Sequence, residues 1–132
     1  MPTNADLAQR WYREVWSPGG EATVHELMAD DVEGFMEGAD IVGKDAFLAE
    51  RARLLQLFPD IRIVADDVIA EGDKVAVRWH VRATHTGAGA GLAPTGKPVR
   101  FRGQTWLEFR DGQLVRGFDS WNLGGLLQEL AS

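Results

Sequence analysis

The stretch Gly91-Leu92-Ala93-Pro94-Thr95-Gly96-Lys97 has the glycine and lysine spacing of a phosphate-binding loop. That chemistry needs a strand leading in, a helix leaving directly after the lysine, and a Ser or Thr to hold magnesium. Here Pro98 takes the Ser/Thr position, and Val99-Arg100-Phe101-Arg102 alternates like a strand. Without a helix N-terminus there is no row of free amides to cradle phosphate. The segment reads instead as a glycine-rich connection between two strands, with Lys97 solvated. Cysteine is absent, which excludes disulfides, thiolate metal sites and cysteine nucleophiles. The three histidines, His25, His80 and His85, form no His-x-x-x-His pair, so no metal site is expected. Any chemistry therefore falls to carboxylates, hydroxyls and single histidines, and to the elements that position them.

Those elements are legible from periodicity. Leu7, Trp11 and Val15 recur at helical spacing, with Ala8, Tyr12 and Trp16 beside them, and predict a helix over Asp6 to Trp16 with Asn4 as its N-cap. Pro18-Gly19-Gly20 ends it. A shorter helix is expected from about Glu21 to Met28, then short strands at Val32 to Phe35 and around Ile41. A strong helix follows over Lys44 to Phe58, with Phe47, Leu48, Leu54, Leu55 and Phe58 on its apolar side, stopped by Pro59-Asp60. From Ile61 the period becomes two. Glu71-Gly72-Asp73 marks a turn, and Lys74 to Thr84 alternates Val75, Val77, Trp79, Val81 and Ala83 against a basic, polar face. Val99 to Phe109 forms a second long strand, and Arg110-Asp111-Gly112-Gln113 a hairpin turn. A strand from about Leu114 to Trp121 and a short helix over Leu126 to Leu130 close the chain. Helices first and a meander of antiparallel strands afterwards predict an α+β domain with helices on one face of a curved antiparallel sheet.

The 132 residues suit one domain, residues 1–132, with a real core. A net charge of -6 argues against nucleic acid as partner, and no stretch approaches the length of a membrane span. Met1 to Asp6 carries neither the basic nor the apolar region of a secretion signal, so a cytoplasmic location is expected.

Several phrases together resemble the SnoaL-like polyketide cyclase (ester cyclase) group. They are Phe58-Pro59-Asp60; Asp66-Asp67-Val68-Ile69-Ala70-Glu71-Gly72-Asp73-Lys74-Val75-Ala76-Val77-Arg78-Trp79; Thr84-His85-Thr86-Gly87 with Pro94-Thr95-Gly96-Lys97-Pro98; and Asp111-Gly112-Gln113-Leu114-Val115 with Asp119 and Leu126-Leu127-Gln128-Glu129-Leu130. The resemblance covers nearly the whole chain. It implies the cone of the nuclear-transport-factor-like superfamily, in which a bent sheet and three to four helices enclose a pocket. It also implies an intramolecular aldol ring closure without metal or organic cofactor, with Asp119 as general acid/base. Two positions depart from the family pattern. Thr105 stands where a histidine is usual two residues after Gly103, and Asn122 stands where several relatives carry a second aspartate.

Proton removal beside a carbonyl needs a base near its target and a group that stabilises the enolate. Asp119 shares a strand face with Val115, Gly117 and Trp121, an apolar setting that predicts a raised pKa. Thr105 and Gly103 face the same cavity from the neighbouring strand, the hydroxyl as a donor and the glycine as room for a ligand. His85, in phase with Trp79, either assists Asp119 or is a structural histidine bonded to backbone. Trp79 reads equally as core or pocket wall, and Tyr12, Trp16, Phe35, Leu55, Phe101 and Trp121 are candidate substrate contacts beside core packing. His80 lies on the opposite face with Arg78 and Arg82. Arg78, Arg82, Arg100 and Arg102, with Trp106 among them, mark an outer sheet face suited to a homodimer or higher homo-oligomer. The substrate expected is an apolar, carbonyl-bearing small molecule. A hydrolase or isomerase on the same cone, resembling epoxide hydrolases or ketosteroid isomerases, and a non-catalytic binding or dimerisation module are the alternatives.

Overall fold

A computed structural model describes residues 2–132. Helix α1 (Asn4–Glu14) and α2 (Glu21–Leu27) are followed by β1 (Met28–Met36), β2 (Ala39–Val42) and α3 (Lys44–Leu57). Then come β3 (Arg62–Glu71), β4 (Lys74–Thr84), β5 (Pro98–Arg110), β6 (Gln113–Trp121) and α4 (Leu123–Ala131). The six strands form one open sheet in the order β2-β1-β6-β5-β4-β3.

Helix α1 begins at Asn4, the residue expected to cap it. Thr3, not Asn4, is the N-cap: its hydroxyl accepts from the Asp6 amide at 3.1 Å, and the Asp6 carboxylate accepts from the Thr3 amide at 3.0 Å. This reciprocal box satisfies two amides that no helical carbonyl can reach. Asn4 instead donates to the Gly72 carbonyl and ties the helix to the β3–β4 turn. Leu7, Ala8, Trp11, Tyr12 and Val15 are buried, as a single stripe at i, i+4 spacing requires. At the far end, the buried Arg51 of α3 donates to the carbonyls of Val15 (2.6 Å) and Ser17 (3.1 Å), groups that the end of α1 leaves without helical partners.

Strands β3 to β6 form the expected antiparallel meander, but the sheet as a whole is mixed. β1 pairs parallel to β6, with Gly34 opposite Gly117 and Phe35 opposite Phe118. The β6 edge left open by the meander is filled by a strand from the first third of the chain, and such distant pairing leaves no mark in local periodicity. The inner face of the sheet meets the helices. Buried Val75, Val77, Trp79, Val81 and Ala83 of β4 pack there with Val99, Leu107 and Phe109 of β5.

One irregularity sets the phase of β6. Glu108 pairs with Arg116, whereas Phe109 pairs with Leu114, so Val115 is an extra residue in the strand. Leu114 thereby turns inward and is buried, while Gly117, Asp119 and Trp121 keep the inward phase further along. The face expected to begin at Val115 begins at Leu114 because a bulge shifts alternation by one residue.

Candidate functional site

The β4–β5–β6 register stacks two rows across the inner face. Val77, Thr105 and Asp119 stand side by side, and next to them stand Trp79, Gly103 and Trp121. A cavity of about 290 Å³ lies between this face and the helices. Tyr12 of α1 and Trp16 just after it, Leu54 and Leu57 of α3, and Leu126 and Leu130 of α4 contribute to its walls.

Three side chains form a directed chain of hydrogen bonds. The Trp79 indole N–H donates to the Thr105 hydroxyl at 2.8 Å, and that hydroxyl donates to Asp119 Oδ1 at 2.6 Å. With Asp119 ionised, the direction follows from the donors present. An indole nitrogen can only donate, so Thr105 accepts there and has its one proton left for the carboxylate. Trp79 and Thr105 are both buried, and the Asp119 side chain keeps part of its surface open to the cavity. Burial pushes the Asp119 carboxyl above its ordinary range. The Thr105 hydrogen bond opposes that rise, and the negative charge of Glu37 adds to it. The phenol of Tyr12 is held protonated by burial and by the nearby charge of Asp119, against the contrary effect of the Thr105 hydroxyl. A carboxyl disposed to hold a proton and a phenol disposed to keep one thus face one largely apolar chamber. That arrangement is equipped for proton transfer.

Of the expected site residues, Asp119, Thr105, Trp79, Phe101, Trp121, Tyr12 and Trp16 line the cavity. Phe101 stacks on Trp121 at 4.7 Å between ring centroids and meets Trp79 edge-on at 6.2 Å, so the three rings form a continuous aromatic panel. Four expectations need correction. Phe35 points to the outer face, stacked on Phe118 at 4.7 Å, because its register partner there is outward-facing. Leu55 packs beside the core, and its neighbour Leu54 takes the cavity position. Gly103 makes room for side chains, not for a ligand: a Cβ there would lie 2.6 Å from the Trp79 ring and 2.8 Å from the Trp121 Cβ. His85 stays out of the cavity wall. It is fully buried against Phe58, with Nδ1 2.9 Å from the Thr95 hydroxyl, and its backbone bonds to Gly96 and Lys97. It anchors the loop before β5.

His80 sits on the outer face, with Nδ1 2.8 Å from the Asp66 carboxylate. Asn122 caps α4 by accepting from the Gly125 amide at 2.8 Å. Glu37 was not foreseen as a lining residue. It sits in the β1–β2 turn, and its approach to Asp119 depends on the parallel β1–β6 pairing. Among the described residues, no three His, Asp or Glu side chains converge as metal ligands would, and no helix is long and apolar enough to cross a membrane.

An open curved sheet, with helices closing one face over a pocket that holds an inward-facing aspartate, defines the α+β cone of nuclear-transport-factor-like proteins. Within that class the chain belongs to the SnoaL-like polyketide cyclase family, whose profile matches residues 6–130. Solved structures agree on the fold. A candidate SnoaL-like polyketide cyclase from Jannaschia sp. CCS1 superposes with a TM-score of 0.91 at 23% identity, covering 98% of this chain and 92% of that one. IdmH, a candidate polyketide cyclase from Streptomyces antibioticus, gives 0.84 at 24% identity over 99% and 100% of the two chains. AclR, a candidate hydroxylase from Streptomyces galilaeus, gives 0.84 at 26% identity over 97% and 95%. No functionally curated protein matches the chain.

Proposed function

We propose that the protein is a cofactor-independent acid/base enzyme that closes a ring within an apolar, carbonyl-bearing substrate. Asp119 removes a proton from a carbon next to a carbonyl. The resulting enolate carbon attacks a second carbonyl of the same molecule, forming one C–C bond. The oxygen of the attacked carbonyl then takes back the proton that Asp119 holds, so the carboxylate is regenerated and nothing else is consumed. Thr105 orients Asp119 throughout, and Trp79 orients Thr105.

The observation that carries this reading is the desolvated Asp119 carboxyl on a largely apolar cavity wall, held at 2.6 Å by the Thr105 hydroxyl. A carboxyl whose pKa lies nearer neutrality is a stronger base when ionised and a usable acid when protonated. Asp119→Asn keeps the shape and removes the base. It should abolish ring closure of a poly-carbonyl substrate, followed by chromatography, while the far-ultraviolet circular dichroism spectrum is unchanged. Retained turnover would remove Asp119 from the mechanism.

The outer sheet face supports self-association. Across five strands, register aligns Ile69, Ala76, Trp106, Phe118 and Phe35 in one apolar row. Ile69 is 69% exposed, Trp106 42% and Phe118 37%, an unusual outlay of large apolar surface for one sheet face. We place the contact between two copies of the chain on this row.

A further inference from the structure

The charges around the cavity do not balance. Glu33, Glu37, Glu50, Arg53 and Asp119 all contribute to its lining. Glu50 and Arg53 pair with each other at 2.7 Å, and Glu33 is paired at 3.3 Å with Arg116 of β6. That leaves Asp119, which is tied to Thr105, and Glu37, which has no ion-pair or hydrogen-bond partner among the described residues. Among the described residues, no unpaired cation faces them from the lining. The remaining wall includes the aromatic panel of Trp79, Phe101 and Trp121, with Tyr12 from α1 and Trp16 from the turn after it. Ring faces carry negative potential and attract cations. The whole chain, at -6, adds a field of the same sign.

We propose that the cavity selects a substrate whose apolar ring framework carries a protonated amine or quaternary ammonium, with the cation at Glu37 and the rings against the aromatic panel. The inference rests on the reading of this cavity as the reaction site and names its substrate class. A carboxylate or phosphate on the substrate would face an uncompensated negative wall and be rejected. Size narrows the class further. A volume near 290 Å³ lies just below the range of about 300–1,000 Å³ typical of small-molecule sites, which suits one or two fused rings better than four. Binding would also feed back on the base. An ammonium at Glu37 cancels the charge that disfavours ionisation of Asp119, so the correct substrate would itself help to create the carboxylate that reacts with it.

A matched ligand set tests this by isothermal calorimetry at pH 7: naphthalen-2-ylmethanamine, naphthalen-2-ylmethanol and 2-naphthoate. The amine should bind about tenfold more tightly than the alcohol, and the carboxylate most weakly, as expected for one cation held by a carboxylate and ring faces. Glu37→Gln should bring the amine to the affinity of the alcohol and leave the alcohol unchanged. Equal binding of amine and alcohol, tightest binding of the carboxylate, a preference that survives Glu37→Gln, or no binding of any of the three would each overturn the proposal. Asp119→Asn separates this inference from the proposed reaction. The variant should lose turnover yet keep the preference for the amine, so a failure of charge selection and a failure of Asp119 catalysis give different results.

Discussion

The chain from Trp79 through Thr105 to Asp119 makes a quantitative prediction for Thr105→Val. Valine fills nearly the same space, so packing on the inner face is retained while both hydrogen bonds disappear. Two consequences follow, with separate readouts. First, the Trp79 indole N–H, buried and 2.8 Å from the Thr105 hydroxyl, loses that acceptor. An unsatisfied buried donor costs about 1–3 kcal/mol, which should appear as a fall of that size in unfolding free energy by urea titration. Second, Asp119 loses the one interaction that holds its pKa down against burial and Glu37. A hydrogen bond to a charged group contributes about 1.5–3 kcal/mol, of which a part persists when the carboxyl is protonated, so the ionisation should move up by about one pH unit. The assay is the acidic limb of the kcat/KM profile, where activity rises as the base ionises. That limb should move to higher pH by about one unit in Thr105→Val and return in Thr105→Ser, which restores the hydroxyl. A lower plateau with the limb unmoved would mean that Thr105 does not govern the ionisation of Asp119, and the directed relay would be refuted.

Other expectations follow from the same coordinates. Because the folded pKa of Asp119 lies above its ordinary 3.8, the folded protein holds the Asp119 proton more tightly than the unfolded chain does. Stability from this group is complete below the unfolded value and is lost as pH rises through the folded one. Thermal melts should therefore show Asp119→Asn gaining on the parent protein as pH rises through that window, and an unchanging difference would contradict the burial of the charge. Gly103→Ala should destabilise the protein by about 1–3 kcal/mol in denaturant titration, because the new methyl meets the Trp79 ring, the Ser120 carbonyl and Trp121 at 2.6–2.8 Å. Trp106→Glu on the outer face should convert a dimer to monomers in sedimentation velocity while leaving ligand binding in the cavity intact. A dimer that survives the charge would move the contact elsewhere.

What the sequence disclosed, and what it withheld, divides along physical lines. The limits of β4 were legible to the residue, because strict alternation of Val75, Val77, Trp79, Val81 and Ala83 is a local consequence of a sheet with one buried face. The inward phase of Thr105 followed from the same rule on β5. Beyond β5 the rule loses its hold. The extra residue at Val115 exchanges Val115 for Leu114 on the buried face, and nothing local announces a bulge in a run that reads Leu-Val. Phe35 was misplaced for a related reason: its direction is set by the parallel register with Phe118, more than eighty residues away in the chain. Gly103 was read as room for a ligand, but a missing Cβ does not reveal whether a ligand or an indole fills the gap, and here the Trp79 indole does. Glu37 is the hardest case. A glutamate before a glycine in a turn is ordinary, and only the three-dimensional approach of β1 to β6 brings its charge to bear on Asp119.

The loop that mimics a phosphate site illustrates how the same residue chemistry is turned to architecture. Lys97 does find the charge that a phosphate-loop lysine seeks, but at a helix end of the opposite pole. Its Nζ donates to the Glu129 carbonyl at 3.0 Å and to the Ser132 carbonyl, at the C-terminal end of α4, where the last carbonyls and the helix dipole present negative charge. Upstream, the Gly87 amide donates to the Leu57 carbonyl at 3.1 Å, at the C-terminal end of α3. A Cβ at Gly87 would lie only 1.5 Å from the Gln56 carbonyl oxygen, so only glycine permits that approach. Between these two ties, the His85 amide and carbonyl bond to the backbone of Lys97 and Gly96. The connection from β4 to β5 thus clasps the ends of two helices that both wall the cavity, α3 through Leu57 and α4 through Leu126 and Leu130. Of the residues that suggested a bound nucleotide, Gly96 and Lys97 serve instead to tie this connection to His85 and to the end of α4.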